Sequence, residues 1–172
     1  MRGEWYVRPS RKIAYYGIFA TLAILMGYVE MMIPIVIAVP GIKLGLANVI
    51  VLIVLYFMDV KSAFFVSLIR IFITGLLFAG FAGLLYSLSG AGLSFLVMVL
   101  MKKMKVFSII GISAAGGIFH NIGQIFIAAL VVNNMKLLYY LPVLLVSGIV
   151  TGVVTGVVAK YCLSYLNNRN LL

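Results

Sequence analysis

Residues 40–50 read P-G-I-K-L-G-L-A-N-V-I and place Lys43 and Asn48 between two long apolar segments. The segment before them extends over approximately residues 13–33, and the next begins near Leu44. A helix needs about 20 predominantly apolar residues to cross a bilayer, and the first segment is that long. The polar junction is therefore expected at one surface of a membrane, between two crossings.

The composition of the whole chain supports a membrane location. Hydrophobic residues make up 65% of the 172 residues and charged residues only 9%, whereas a soluble domain carries about 25% charged residues. In lipid, the backbone polar groups must be satisfied within the protein, and a helix does this within a single segment. The composition predicts an all-α integral membrane bundle. We also expect a lipid bilayer as its surroundings and the cell membrane as its location.

Polar breaks divide the chain into six predicted transmembrane helices. Pro34 and Pro40–Gly41 follow the first span, Asp59–Lys61 forms a tight turn, and Gly75 marks the region of a later one. The spans lie at approximately residues 13–33, 44–58, 62–77, 81–101, 107–132 and 139–163. We predict a single domain over residues 1–172, with a polar segment at 1–12 and a polar tail at 164–172.

The basic residues indicate how the bundle is oriented. With six spans, both termini lie on one side, and ten of the thirteen basic residues fall at that side. Only Lys43 and Lys136 fall at the other side, and Arg70 lies within the third span. Cytoplasmic loops carry an excess of Lys and Arg, so the N and C termini are predicted to be cytoplasmic. The basic residues are scattered over short loops, which makes nucleic acid an improbable partner.

Polar residues within the spans concentrate in the predicted outer half of the membrane. Such residues are costly there and are candidates for functional sites. Counting along each span at about 1.5 Å per residue places most of them at similar depths, with Arg70 near the middle of its span. The predicted substrate-binding residues are Glu30, Lys43, Asn48, Arg70, Ser87, Ser89, His120, Asn121 and Gln124. Together they predict an outward-facing, mildly positive pocket for an anionic or zwitterionic ligand.

Each of these residues also has a purely structural interpretation. His120 and Gln124 share a helix face and could form interhelical hydrogen bonds. Arg70 could form a buried ion pair with Glu30. Lys43 could be an ordinary interfacial lysine, and Asn48 could cap or cross-link helices. Ser87 and Ser89 carry less information, because serine can bond back to its own helix.

Small residues form stripes on the first and last spans. Close helix contacts in membranes use small residues at spacings of three to four. On the first span the candidates for docking a partner helix are Gly17, Thr21, Ala23 and Gly27. The stripe on the sixth span, from Ser147 to Ala159, is expected to serve packing within the protein.

Several kinds of chemistry are improbable for this chain. It contains no G-x-x-x-x-G-K-[ST] phosphate loop, and Asp59 is its only aspartate. A magnesium-dependent prenyl synthase needs clustered aspartates to hold the metals. One histidine, one cysteine and three acidic residues also argue against metal hydrolysis and nucleophilic triads. We expect no enzymatic activity, no metal and no cofactor.

Three short stretches of the sequence resemble motifs of a known family. P-G-I-K-L-G-L-A-N at residues 40–48, S-L-S-G-A-G at 87–92 and G-I-F-H-N-I-G-Q at 117–124 resemble the heptaprenyl diphosphate synthase component I family, also called the Gx transporter family. That family is similar to the substrate-binding S components of energy-coupling-factor (ECF) transporters. The resemblance implies six helices, cytoplasmic termini and a ligand pocket near the outer face, capped by the loop between the first two spans.

The resemblance also implies partners and two alternative functions. An S component binds a scarce small molecule and docks on a transmembrane coupling protein with two cytosolic ATPases. The expected ligand is small and anionic or amphipathic: a vitamin, a flavin-like compound, or an isoprenoid or quinone precursor. The alternative is a non-transporting membrane accessory of heptaprenyl diphosphate and menaquinone biosynthesis, or of flavin-linked electron transfer. A carrier acting alone is less favoured, since the chain shows no clear inverted repeat.

Overall fold

The computed structural model describes residues 9–32 and 45–168, and it is helical almost throughout. A π-helical turn, Gly75–Ala79, separates α3 from α4, and a 3-10 segment, Met135–Tyr140, precedes α6. The helices are α1 (Pro9–Met32), α2 (Leu46–Phe57), α3 (Val60–Thr74), α4 (Gly80–Met104), α5 (Ile109–Val131) and α6 (Leu141–Asn168). They correspond in order to the six predicted spans. However, α1 begins within the predicted N-terminal segment, and α6 continues into the predicted tail.

Four helical stretches in the described chain are long and apolar enough to cross a membrane: Lys12–Met32, Val60–Met104, Ile109–Val131 and Met135–Asn168. The prediction of an all-helical, multi-pass membrane protein is therefore confirmed. Helix α2 has 12 residues and is about 18 Å long, which is shorter than the hydrocarbon core of about 30 Å. Six crossings and the orientation of the termini stay predictions.

The stretch Val60–Met104 is a hairpin and not a single rod. The ring centroids of Phe64 on α3 and Phe95 on α4 lie 5.8 Å apart, whereas a straight helix would separate these residues by about 46 Å. The reversal follows the π turn and occurs at Gly80, whose φ of +67° is a conformation that favours glycine. Helices α3 and α4 are thus separate, antiparallel elements.

Helix α2 lies at the centre of the bundle. It contacts α1, α3 and α6, and Leu52, Val54 and Leu55 are almost completely buried. Apart from Asn48 near its beginning, its sequence is apolar on all faces, as expected for a helix surrounded by others. By contrast, α1, α4 and α6 present large apolar side chains outward, including Ile18, Leu96 and Val154. An apolar exterior is what a bilayer requires of a protein surface.

Glycines allow α5 to pack closely on α6. A β-carbon on Gly117 would lie 2.2 Å from the carbonyl oxygen of Gly148, and one on Gly152 would lie 2.7 Å from the Cα of Ala114. Backbones this close leave no room for side chains at these positions. The prediction that the small-residue stripe of the sixth span packs within the protein is confirmed.

Consecutive helices alternate in direction, so that α1, α3 and α5 begin at one end of the bundle, where α2, α4 and α6 end. Contacts across this end show the arrangement. Lys12 on α1 forms a 2.9 Å ion pair with Asp59, which caps α3, and Lys102 on α4 donates a hydrogen bond to the carbonyl of Leu55 at the end of α2. We call this end the basic end, because it carries Lys12, Lys61, Lys102, Lys103, Lys105 and Lys160. At the opposite end, Lys136 is the one basic residue that the structure describes.

Candidate functional site

A cavity of about 310 Å³ lies inside the bundle, in the half away from the basic end. Its size is at the lower end of the range for small-molecule pockets, about 300–1,000 Å³. All six helices contribute to its walls. Six of the nine predicted substrate-binding residues line it: Glu30, Asn48, Arg70, Ser87, His120 and Asn121. The structure thus brings together side chains that are up to 91 positions apart in the sequence.

Glu30 stands near the end of α1 and contacts the beginning of α2. Its Oε1 accepts a 2.8 Å hydrogen bond from the backbone N–H of Gly45, the residue that precedes the first turn of α2. Gly45 has a φ of +76°, in the left-handed region that glycine adopts at little cost. This bond leaves the second carboxylate oxygen of Glu30 for other partners, since a carboxylate has about four acceptor sites.

Arg70 and Asn48 form the polar link between α3 and α2. Arg70 Nη2 donates a 2.7 Å hydrogen bond to Asn48 Oδ1, which settles the orientation of the asparagine amide. Within the described residues, the buried Nε of Arg70 has no hydrogen-bond partner. A guanidinium has five N–H donors, so its capacity is only partly used.

The ion pair between Glu30 and Arg70, one of the two interpretations left open for Arg70, is not formed in the described part of the chain, where Lys12–Asp59 is the one salt bridge. Both residues nevertheless line the same cavity. The walls therefore carry one carboxylate and one guanidinium that do not neutralise each other by direct contact. This arrangement favours a ligand that carries charge.

Two neighbouring residues of α5 occupy different surroundings. His120 is buried beside α4, where Gly90 allows the two helices to approach closely: a β-carbon at residue 90 would lie 2.7 Å from the backbone carbonyl oxygen of His120 and 3.2 Å from its Nε2. Asn121 donates a 2.6 Å hydrogen bond to the carbonyl of Leu144 on α6. Asn121 therefore links two helices in addition to lining the cavity.

Three of the predicted site residues are not among those that line the cavity. Ser89 Oγ is within 3.0 Å of the carbonyl of Gly123 on α5 and also contacts the carbonyl of Tyr86, which is a helix-packing role. Gln124 is half-buried one turn beyond His120. Lys43 lies outside the described residues, as does the loop that was predicted to cap the pocket.

The predicted docking stripe on α1 is divided between two faces. Gly17 and Thr21 are exposed, and no atom would come within 4 Å of a β-carbon at Gly17. In contrast, Ala23 is completely buried in the core, and Gly27 lines the cavity. Because Ala23 is buried and Gly27 faces the cavity, the docking prediction is kept for Gly17 and Thr21 alone.

The cavity also includes residues that we did not predict, among them Thr74 and Thr151. Thr74 lies one turn after Arg70 on α3, and its hydroxyl donates a 2.7 Å hydrogen bond to the carbonyl of Arg70. The spacing of four residues places Thr74 on the same helix face as Arg70. That spacing was visible in the sequence and could have identified it.

The comparison with known families agrees with the fold. The model of the family described as heptaprenyl diphosphate synthase component I matches residues 19–162, which is most of the chain. No curated protein and no solved structure shows a significant match. The family match covers every cavity residue described above, and the chain therefore belongs to the heptaprenyl diphosphate synthase component I family.

Proposed function

We propose that the protein is the substrate-binding membrane subunit of a transporter of the ECF type. It would capture a small anionic or amphipathic molecule in the cavity between its helices. The observation that carries this proposal is the cavity itself, about 310 Å³ in volume and lined by Arg70, Asn48 and Glu30. Costly polar groups collected around one cavity in a membrane bundle are typical of a ligand site.

The proposal includes a topology of six crossings with both termini in the cytoplasm of the cell. The alternating helices support it, since they collect the described lysines, apart from Lys136, at the basic end. By the positive-inside rule this end faces the cytoplasm, and the cavity then lies toward the outer face. In this proposal the central helix α2 is one of the six crossings.

The energy for transport would come from other subunits. The sequence has no phosphate-binding loop, and the proposed partners are a transmembrane coupling protein and two cytosolic ATPases. The exposed face of α1 around Gly17 and Thr21 is the proposed docking surface for the coupling protein. Small residues there would let a partner helix approach closely. The chain itself would have no catalytic role.

A second function is favoured by the family description, which names a component of a synthase. In that case the protein would be a non-transporting accessory of heptaprenyl diphosphate or menaquinone synthesis, or of flavin-linked electron transfer. Exposed Lys61, Lys103 and Lys105 at the basic end could hold an acidic soluble partner. The cavity supports the first function better, because its volume of about 310 Å³ lies within the range of small-molecule pockets, whereas an accessory function does not require a cavity.

Affinity purification of the tagged protein from its native host in mild detergent distinguishes the two functions. Mass spectrometry would then identify the proteins that accompany it. We expect two ATPases and a membrane coupling protein at comparable amounts. Recovery of a prenyl synthase subunit without ATPases would contradict the transporter proposal and support the accessory function. A tagged, unrelated membrane protein of similar size from the same host is the control for non-specific recovery.

A further inference from the structure

Two oppositely charged side chains line the cavity, and each forms a hydrogen bond with an uncharged group. Glu30 accepts from the backbone of Gly45, and Arg70 donates to the side chain of Asn48. No ion pair joins Glu30 and Arg70 in the described residues. Both therefore retain hydrogen-bonding capacity toward a bound molecule. Charged residues within a membrane protein almost always pair with a partner or face a functional cavity.

The two charged residues stand at different depths. Helices α1 and α3 both begin at the basic end and approach each other at Gly27, where a β-carbon would lie 3.3 Å from Thr74 Cγ2. Glu30 is three residues beyond Gly27, and Arg70 is four residues before Thr74. Seven residues of helix rise separate their backbones by about 10 Å along the bundle. Arg70 is thus the deeper of the two, closer to the basic end.

We infer that the ligand is a small zwitterion. Its anionic group, a carboxylate or a phosphate, binds Arg70 beside Asn48 in the deeper part of the cavity. Its cationic group binds Glu30 nearer the other end. A guanidinium recognises either anion through paired N–H donors, and the carboxylate of Glu30 gives the cation its counter-charge. This inference rests on the proposed substrate-binding function and narrows its ligand from anionic or amphipathic molecules to those with both charges.

Binding to a defined panel of compounds tests the inference. The full chain is reconstituted in lipid nanodiscs, and affinities are measured for 4-aminobutyrate, carnitine, phosphoethanolamine and phosphocholine. The single-charge relatives are butyrate, ethanolamine, choline and inorganic phosphate. We expect at least one zwitterion to bind about tenfold or more tightly than each of its single-charge relatives, in line with one charged hydrogen bond. If the compounds that bind carry a carboxylate, the anionic group of the ligand is a carboxylate, and if they carry a phosphate, it is a phosphate.

Variants of Glu30 then assign the cationic end. Glu30→Gln keeps an oxygen for the N–H of Gly45 and removes the charge, while Glu30→Asp keeps the charge. We expect Glu30→Gln to weaken the binding of the zwitterion about tenfold or more. The affinity for its anionic relative should stay within about twofold of the unsubstituted protein. Glu30→Asp should retain a preference for the zwitterion. The ratio of the two affinities within one variant does not depend on how much of the sample is folded.

Three results would overturn the inference: no compound of the panel binds, a single-charge relative binds as tightly as its zwitterion, or Glu30→Gln leaves the ratio unchanged. None of these results bears on the transporter proposal, which is judged by the recovery of ATPases. Conversely, zwitterion binding without recovered ATPases would retain the inference about the ligand and remove the transport function.

Discussion

Arg70 on α3 and Asn48 on the central helix α2 are joined by a 2.7 Å hydrogen bond across the wall of the cavity. The asparagine gives the guanidinium a neutral acceptor and leaves its charge uncompensated within that contact. A carboxylate at the same position would neutralise the charge permanently. The pair thus holds a cation at the wall of the cavity, as the proposed anion site requires.

Substitution of Asn48 should separate stability from ligand binding. Asn48→Asp provides a carboxylate for Arg70, and we expect it to maintain thermal stability while it abolishes anion binding. Asn48→Leu removes the acceptor, and we expect it to cost about 1.5–3 kcal/mol of stability, as for a hydrogen bond to a charged group, together with ligand affinity. Thermal unfolding and ligand binding of both variants in nanodiscs provide the measurement. Undiminished binding by Asn48→Asp would show that the ligand does not use Arg70.

Two serines of α4 form a matched pair. Ser87 lines the cavity, whereas Ser89 Oγ contacts the carbonyl of Gly123 on α5. We expect Ser87→Ala to weaken ligand binding, by up to about tenfold for one neutral hydrogen bond, and to leave stability unchanged. Ser89→Ala should leave affinity unchanged and lower stability by about 0.6 kcal/mol, as for an interhelical hydrogen bond in a membrane. Ligand binding and thermal unfolding are measured for both variants. If Ser89→Ala lost affinity and Ser87→Ala lost stability, α4 would be rotated about its axis relative to the structure.

Two features of the fold could be predicted from the sequence alone: the depth of a residue along the bundle and the approximate ends of the helices. Depth along the bundle follows from counting residues, because a helix rises by a constant amount. Counting predicts that Glu30, Asn48 and His120 lie at similar depths, and the structure has all three in the wall of one cavity. The breaks between helices were also predictable to within a few residues, since Asp59, the lysines at 102–105 and Asn133–Asn134 interrupt the apolar pattern. These features depend on local sequence only.

The sequence alone could not show which face of each helix points into the bundle. Ser87 and Ser89 have nearly the same depth but differ by about 200° around α4, and in an apolar span both faces look alike. The inward position of Ala23, by contrast with the exposed Thr21, depends on how α1 packs against its neighbours. Such rotations are determined by contacts between distant segments, which a single sequence does not display.

Glycines on α1 and α5 should respond differently to substitution. A β-carbon at Gly117 would lie 2.2 Å from the carbonyl oxygen of Gly148, so Gly117→Ala should force α5 and α6 apart. We expect a loss of about 1–3 kcal/mol, the usual cost of overpacking. Gly17→Ala meets nothing within 4 Å and should leave thermal unfolding in detergent unchanged. Equal stability of both variants would contradict the close contact between α5 and α6.

The exposed position of Gly17 also permits a test of partner docking. Gly17→Leu adds a bulky side chain to the outer face of α1, at a position where a β-carbon would meet no atom within 4 Å. We expect the variant to fold and bind ligand normally, and to lose co-purification with the coupling protein and the ATPases, because a partner helix could no longer approach closely. Val154→Leu, on the exposed face of α6, is the control. Full recovery of the partners with Gly17→Leu would exclude this face of α1 as the docking surface.

The ion pair between Lys12 and Asp59 at the basic end should make stability depend on pH. Partial burial of Asp59 opposes its ionisation, but hydrogen bonds from the N–H and hydroxyl of Ser62 and the contact with Lys12 outweigh it, so the pKa of Asp59 lies below its ordinary value of 3.8. A carboxyl with a lowered pKa stabilises the folded state above the ordinary value and loses that contribution as the pH falls through the lowered one. We therefore expect thermal stability to decrease as the pH is lowered from about 5 toward 3. Asp59→Asn should flatten this dependence, since asparagine still caps α3 but has no charge, and an unchanged pH profile in the variant would assign the decrease to other groups.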